Sequence, residues 1–333
     1  MTDPVDSHQP PQSQAQPAFL CVSLNPAIDK RLKLDTLKTG RVNRALEVTP
    51  APGGKAAHVA MVLRALGADP LWLGFTGGPN GASLLQGLRS LSIRAASVPV
   101  AAETRMNLEI LEDGGSVTEI LEPGSPVTSA EREALLREYE SCLRVAENRT
   151  IVILSGSLPK GLAPDDYATL IRLGHRHGAR VFLDTSGEPL RLGLQQRPDF
   201  AKPNQEEAEW LIHGTIDGAT AASTALQTLL REGPRSAAIS LGAKGLVWRG
   251  PDGWDALVAI PPKLEAASAV GSGDATIAGF AFAASRNFEP PDMLRLAVAC
   301  GAANCLADLP GRVRLHDVER LRKLVQIQSL PQQ

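Results

Sequence analysis

The feature that most constrains this chain is an alternation of short apolar runs with amphipathic stretches from about residue 150 onward. "TIVILSG", "RVFLD" and "SAAISLG" are apolar runs of strand length. Between them lie "DDYATLIRLGHRHG", a stretch after Pro203 and another near 218–231, all with helical spacing. Parallel strands cannot be joined by a tight turn, so a helix must carry the chain back across the sheet each time. Continuous apolar character also means that both faces of each strand are covered. The pattern predicts an α/β fold, a doubly wound and largely parallel sheet flanked by helices.

The N-terminal half adds a second theme. "AFLCVSLN" (18–25) reads as a buried strand, "KAAHVAMVLRALG" as a helix stopped by Gly67, and "PLWLGFTG", "GASLLQGLRS" and "LSIRAASV" as strand, helix and strand. Two other pairs alternate polar with apolar residues: "KRLKLDTL" with "RALEVTP", and "MNLEILE" with "VTEILEP" across Asp113-Gly114-Gly115. Such half-exposed hairpins combine into one small sheet projecting from the main body, with lid strands at about 31–50 and 103–122. Thr128 and Glu131 form a capping-box pattern that opens the helix "SAEREALLREYESCLRVAE". Helices are expected from Asp274 and from Pro290. A single domain over 18–325 follows, after a disordered tail at 1–17 that holds prolines, glutamines and serines but no apolar core.

Composition excludes several partners. The 34 basic and 36 acidic residues leave a net charge of -2, which provides no field for nucleic acid or an anionic membrane surface. No apolar run reaches the ~18 residues of a membrane span. The tail lacks the apolar core of a secretory signal. Cysteines at 21, 142, 300 and 305 form no CxxC pair and sit mostly in apolar segments, so a reducing cytoplasm fits better than a disulfide framework.

In a doubly wound sheet, ligands collect at the carboxyl ends of the strands, and most chemically suggestive motifs follow strands. The two familiar phosphate fingerprints fail. "PGGKAA" has Ala56 after the lysine, and Gly271-x-Gly273 is followed by Thr276 where a third glycine belongs. "VGSGDATIAGF" still has the physics of an anion site. Gly271, Ser272 and Gly273 let backbone amides converge, and the following helix adds its positive end. Asp274 at that helix start is either a stabilising acid or a base that removes a proton from an attacking hydroxyl, and the stretch alone leaves both open.

Other stretches carry weaker signals. Asn204 and Glu207 in "KPNQEEAEW" lie on one face of a starting helix. They suit the outer coordination of hydrated Mg²⁺, or equally an N-cap with a surface glutamate. Asp29 ends the first strand unit in "SLNPAID", where a carboxylate can accept hydrogen bonds from sugar hydroxyls. "PGGKAAH" brings Gly53, Gly54, Lys55 and His58 to a turn that allows close approach of a ligand. "ETRMN" places Arg105 and Asn107 in the second exposed pair, the arginine suited to phosphate. "SLGAKG" is a glycine-bearing turn able to lie against a nucleotide.

The ordered set "NPAID", "PGGK", "TRMN", "SGSLPKG", "LDTSGE", "KPNQEE", "SLGAKG" and "VGSGD" resembles the PfkB branch of the ribokinase-like sugar kinases, over about residues 18–325. More narrowly it resembles the 1-phosphofructokinases, the tagatose-6-phosphate kinases and the minor 6-phosphofructokinases. The resemblance implies ATP and Mg²⁺ as cofactors, a sugar phosphate as acceptor, and a β-lid that forms a homodimer contact. It implies that Asp274 is the catalytic base and that Gly271, Ser272 and Gly273 form the anion hole. Asp29, Gly53, Gly54, Lys55, His58, Arg105, Asn107 and Ser157 fall on the sugar-phosphate side. Ser240, Gly242 and Gly245 fall on the nucleotide side, and Asn204 with Glu207 on the Mg²⁺ motif, through water. Fructose 1-phosphate converted to fructose 1,6-bisphosphate is the expected reaction. Tagatose 6-phosphate, fructose 6-phosphate and a non-catalytic sugar-phosphate regulator are the alternatives. One departure stands out: where the family commonly reads G-G-K-G-x-N, this chain has Ala56 and His58.

Overall fold

A computed structural model describes residues 19–145, 150–251, 254–266 and 268–330. The tail expected at 1–17 lies outside them. From β1 (Phe19–Ser23) the chain passes to β2 (Ala27–Leu34) and β3 (Glu47–Gly53), then to α1 (Lys55–Ala65), β4 (Pro70–Thr76), α2 (Gly78–Ser90) and β5 (Arg94–Pro99). After β6 (Arg105–Glu112) and β7 (Val117–Leu121) comes the alternating half. It runs through α3 (Ser129–Val145), β8 (Ile151–Ser155), α4 (Asp166–Arg176), β9 (Arg180–Asp184), α5 (Gly187–Leu194), β10 (Phe200–Ala201), α6 (Gln205–Ile212) and α7 (Gly218–Glu232). It closes with β11 (Ala237–Ser240), β12 (Leu246–Arg249), β13 (Ala256–Ile260), α8 (Ser272–Ser285), α9 (Pro290–Cys305), α10 (Leu315–Arg322) and β14 (Gln326–Leu330).

Ten strands form the main sheet, in the order β14-β13-β12-β11-β10-β9-β8-β1-β4-β5. The seven from β11 to β5 pair in parallel, and β12, β13 and β14 extend that sheet antiparallel. Apolar residues fill both faces, with α1, α2, α8, α9 and α10 covering one and α3 to α7 the other. The continuous apolar runs require this two-sided burial. The small sheet is β3-β2-β6-β7, with β2 and β6 parallel at its centre and antiparallel partners outside.

Several elements differ from the sequence expectation. α8 opens at Ser272 rather than Asp274, with Gly271 as its cap in the left-handed region at φ 79° and Asp274 third in the helix. β10 has only two residues, and β14 sets half-buried Ile327 and Leu330 among exposed polar residues at the sheet edge, so neither carries a strong apolar signal. β14 runs on past residue 325 and pairs with β13, while β13, α5 and α10 are further elements the patterns did not single out. The capping box at α3 is present: Thr128 N–H donates to Glu131 Oε2 at 2.7 Å and Glu131 N–H to Thr128 Oγ1 at 3.3 Å. α8 is apolar on every face and is accordingly buried; Gly279 lets α9 approach so closely that a Cβ there would lie 2.7 Å from Ala297 Cα.

Candidate active site

A cavity of about 490 Å³ opens at the carboxyl ends of the parallel strands, between them and the small sheet. Of the expected residues, Asp29, Gly54, Lys55, His58, Arg105, Asn107, Ser157, Asn204, Glu207, Ser240, Gly271, Gly273 and Asp274 line it. Residues from both ends of the chain thus meet in one place. Gly53, Ser272, Gly242 and Gly245 do not line it, and each has a different reason.

Gly53 backs Asp29. A Cβ at Gly53 would sit 2.2 Å from Asp29 Cγ, so the glycine leaves the space the carboxylate occupies. Ser272 turns its side chain away, its hydroxyl donating to Ala269 O at 2.6 Å, and its amide also donates to Ala269 O at 3.1 Å. It therefore offers no N–H to an anion. The amides of Gly271, Gly273 and Asp274 have no acceptor among the described residues, and these three form the open end of α8. Buried Asn304 holds this turn, donating to Val270 O at 2.7 Å and accepting from Gly311 N–H at 2.8 Å. Gly245, at φ 98°, permits close packing of backbone, since a Cβ would lie 2.1 Å from Ala259 O. Gly242, at φ 60°, begins an exposed turn with open space around it.

Asp274 is 5% exposed, and its Oδ2 lies 2.8 Å from His58 Nδ1. Its Oδ1 has no hydrogen-bond partner among the described residues. The opposite ring nitrogen, His58 Nε2, lies 2.8 Å from Asp29 Oδ2. Asn107 Nδ2 donates to the other oxygen of Asp29 at 2.8 Å. Burial pushes the Asp29 carboxyl up, but His58 and Asn107 outweigh it and hold it below the usual range. Burial likewise opposes the charged imidazolium of His58, yet its hydrogen bonds to Asp274 and Asp29 raise it to about 10. α1 and α8 pack side by side, which brings the first turns of both helices to the same wall.

Across the cavity, Asp184 is buried between two lysines, with Lys55 Nζ 3.5 Å and Lys202 Nζ 3.4 Å from its oxygens. Burial raises the Asp184 carboxyl, and Lys202 and Lys55 more than reverse this. Lys55 is itself held above the usual lysine range, because Asp184, Asp274 and Glu207 outweigh its burial. The ammonium of Lys202 lies close to the turn at Gly271–Gly273, 3.4 Å from where a Cβ of Gly273 would stand.

Asn204 and Glu207 form a complete capping box on α6: Asn204 Oδ1 accepts from Glu207 N–H and Glu207 Oε2 from Asn204 N–H, each at 2.8 Å. The cap reading and the cavity location therefore both hold. Glu207 Oε1 is the oxygen left without a partner among the described residues, and burial raises this carboxyl above its usual range. Among the described residues no group of three or more His, Cys, Asp or Glu could hold a metal alone. The donors fit a cation that arrives with its own waters and with phosphate oxygens, as Mg²⁺ does.

Arg105 is already engaged at the lid base, its guanidinium donating to Asn25 O at 3.1 Å and Glu122 O at 2.6 Å. Ser157 accepts from Asn25 Nδ2 at 3.0 Å. Asn25, Glu109, Glu119, Asp184 and Lys202 also line the cavity. Asn25 stands inside the motif "NPAID", Asp184 inside "LDTSGE" and Lys202 inside "KPNQEE", so quoted motifs held a signal for them. Glu109 and Glu119 face each other across β6 and β7 and had no signal beyond strand alternation. Burial, with Glu109, Asp29 and Asp274 nearby, raises the Glu119 carboxyl.

A two-sided α/β sheet with a lid, a helix start presenting free amides and a carboxylate at that start define a phosphotransferase of the sugar-kinase type. The chain matches the pfkB family carbohydrate kinase pattern over residues 22–311 and belongs to that family. It is 33% identical to the 1-phosphofructokinase of Vibrio cholerae over 306 residues, 92% of this chain and 94% of that one. Among solved structures, a Staphylococcus aureus protein proposed as a phosphofructokinase is 29% identical, with a TM-score of 0.78, covering 94% of this chain and 99% of its own. Phosphofructokinase-2 of Escherichia coli, solved in complex with potassium, has a TM-score of 0.85 at 24% identity, covering 93% and 99%. No helix among the described residues is long and apolar enough to cross a membrane.

Proposed function

We propose that the protein transfers the γ-phosphoryl group of ATP to a hydroxyl of a ketohexose phosphate, with fructose 1-phosphate as acceptor and fructose 1,6-bisphosphate as product. One observation carries the reading. Asp274 Oδ1, a carboxylate oxygen with no protein partner among the described residues, shares one cavity with the free amides of Gly271, Gly273 and Asp274 and with Asp29. The Vibrio cholerae relative supports the choice of fructose 1-phosphate.

In this reading Asp29 and Asn107 orient the sugar hydroxyls. The acceptor oxygen attacks the γ-phosphorus in line while its proton passes to Asp274 Oδ1 and the bond to the ADP oxygen breaks. The three free amides and Lys202 face the charge that builds on the phosphoryl oxygens. Lys55, its ammonium against Asp184, serves with Arg105 on the acceptor's own phosphate. Arg105, tied to the lid base, presents the positive edge nearest the acceptor's own phosphate. The end of β11 at Ser240 and the exposed turn at Gly242 form the nucleotide side. Glu207 Oε1, beside Asn204, would hold a water of hydrated Mg²⁺, which when bound neutralises phosphate charge. The lid covers the cavity and excludes water as a competing acceptor. The second copy of a homodimer docks on the lid, and the location is cytoplasmic, in keeping with four free cysteines.

An ADP-release assay against fructose 1-phosphate, fructose 6-phosphate, tagatose 6-phosphate, fructose and ribose tests this. The expected result is the highest kcat/KM with fructose 1-phosphate. Preference for either 6-phosphate would reassign the substrate. Turnover of none, with ATP still bound, would replace the kinase with a sugar-phosphate-binding regulator.

A further inference from the structure

His58 occupies the position where the family pattern reads asparagine, and its two ring nitrogens each stand 2.8 Å from a carboxylate oxygen, Asp274 Oδ2 on one side and Asp29 Oδ2 on the other. The ring is 5% exposed. A neutral imidazole has one N–H and one bare lone pair, so it satisfies only one of two flanking carboxylates. With both carboxyls ionised, two short contacts on opposite sides of the ring call for an N–H donor on each nitrogen. An asparagine cannot reproduce the arrangement, because its amide sends both N–H bonds from a single nitrogen, whereas the ring donates in opposed directions.

We propose that His58 is a positioning residue: a strut that holds the base Asp274 and the sugar-orienting Asp29 at one spacing, with Asp274 Oδ1 turned to the acceptor hydroxyl. The inference rests on the kinase reading for the roles of the two carboxylates. Its physical content is separate, namely a doubly protonated ring between them. Asp29 has its second oxygen fixed by Asn107, so the strut completes an unbroken chain from the lid strand β6 through β2 and α1 to α8. The sugar's binding carboxylate and the base therefore move as one body. Loss of the ring proton would leave a lone pair facing a carboxylate, and Asp274 or Asp29 would swing away.

The other charges on this wall do not supply a substitute. Lys55, on the same helix, lies against Asp184. Arg105 lies against Asn25 O and Glu122 O. Glu109, from the lid, is spent on Arg31, which bonds both of its oxygens, and Glu119 opposite it is an acid whose carboxyl burial pushes up. His58 is thus the cation that the pair Asp29 and Asp274 has in direct contact. The charged ring is held up to about 10 by these contacts, which sets where the arrangement fails.

Nitrogen-15 NMR of the full-length protein labelled at histidine, with pH profiles of wild type, His58→Asn and His58→Ala, tests the strut. At pH 8 both ring nitrogens of His58 are expected to carry protons, with titration only above about pH 9. Wild-type kcat is expected to fall on an alkaline limb near pH 10 that His58→Asn lacks. His58→Ala is expected to lose kcat by about 100-fold with KM for ATP unchanged, and His58→Asn to recover part of that loss. A His58 that is neutral at pH 8, or the same alkaline limb in wild type and His58→Asn, overturns the proposal. The NMR titration needs no substrate. A protein inactive on every sugar phosphate but doubly protonated at His58 at pH 8 supports the strut and defeats the kinase reading alone.

Discussion

Arg31 and Glu109, on the two central strands of the lid, are joined by a two-point ion pair, Nε to Oε2 at 2.9 Å and Nη2 to Oε1 at 2.8 Å. Both are buried, and the pair reaches beyond the lid. Ser268 Oγ, just ahead of the turn at Gly271, donates to Glu109 Oε1 at 3.0 Å, and Arg31 also donates to Asp308 O. The lid is thereby tied to the segments that carry Gly271 and Asn304. Removing one partner leaves a buried charge without its counter-ion. Glu109→Gln is expected to destabilise the protein by about 3 kcal/mol in urea unfolding, and to raise KM for the sugar phosphate. The double replacement Arg31→Met with Glu109→Leu is expected to recover stability without restoring KM.

Asp274→Asn removes the proposed proton acceptor while keeping the shape of the first turn of α8. The expected result is a loss of kcat of about 1,000-fold or more, with ATP and sugar-phosphate affinities by calorimetry close to wild type. Full activity in this variant would remove Asp274 from the base role.

Stability should depend on pH through His58. Its folded-state value of about 10 lies above the ordinary 6.5, so the folded protein holds a proton that the unfolded chain releases. The contribution is complete below about pH 6.5 and is lost as pH rises through about 10. Thermal midpoints of wild type are expected to decline across that window more steeply than those of His58→Asn. Parallel curves for the two proteins would show that the ring carries no such proton.

Gly53→Ala tests the space behind Asp29. The added methyl would stand 2.2 Å from Asp29 Cγ and 2.6 Å from Asp29 N, so the carboxylate and the β2 backbone that carries it must both move. The expected outcome is a rise of about 10- to 100-fold in KM for the sugar phosphate with KM for ATP unchanged, read from steady-state kinetics.

Among the described residues, five of the nine large exposed hydrophobic side chains, Val42, Leu46, Val48, Ile120 and Leu121, lie on the lid strands or in the loop joining β2 to β3. Exposed apolar side chains on both outer strands of the small sheet are the surface on which the proposed homodimer contact can be tested. Val48→Lys with Ile120→Lys is expected to convert a dimer to a monomer in sedimentation velocity. A wild type that sediments as a monomer at all concentrations would rule out the homodimer.

The sequence by itself determined the architecture, because continuous apolar runs must be covered on both faces and parallel strands must be joined by helices. It also singled out Asp274 as a candidate, since glycines followed by an acid at a helix start constrain local backbone geometry. Only the tertiary structure decided how those local pieces act on each other. Ser272 is flanked by glycines like an anion-hole residue, yet its amide is engaged by Ala269 O. Asn204 and Glu207 cap α6 and also face the cavity, two roles that three-residue spacing does not separate. Most of all, His58 reads in the sequence as a bulky stand-in for an asparagine. Its meaning comes from Asp29 in β2 and Asp274 in α8, the latter 216 positions away, and no local pattern encodes that contact. Spacing along the chain governs hydrogen bonds within an element, while the packing of α1 on α8 sets which charges meet across the cavity.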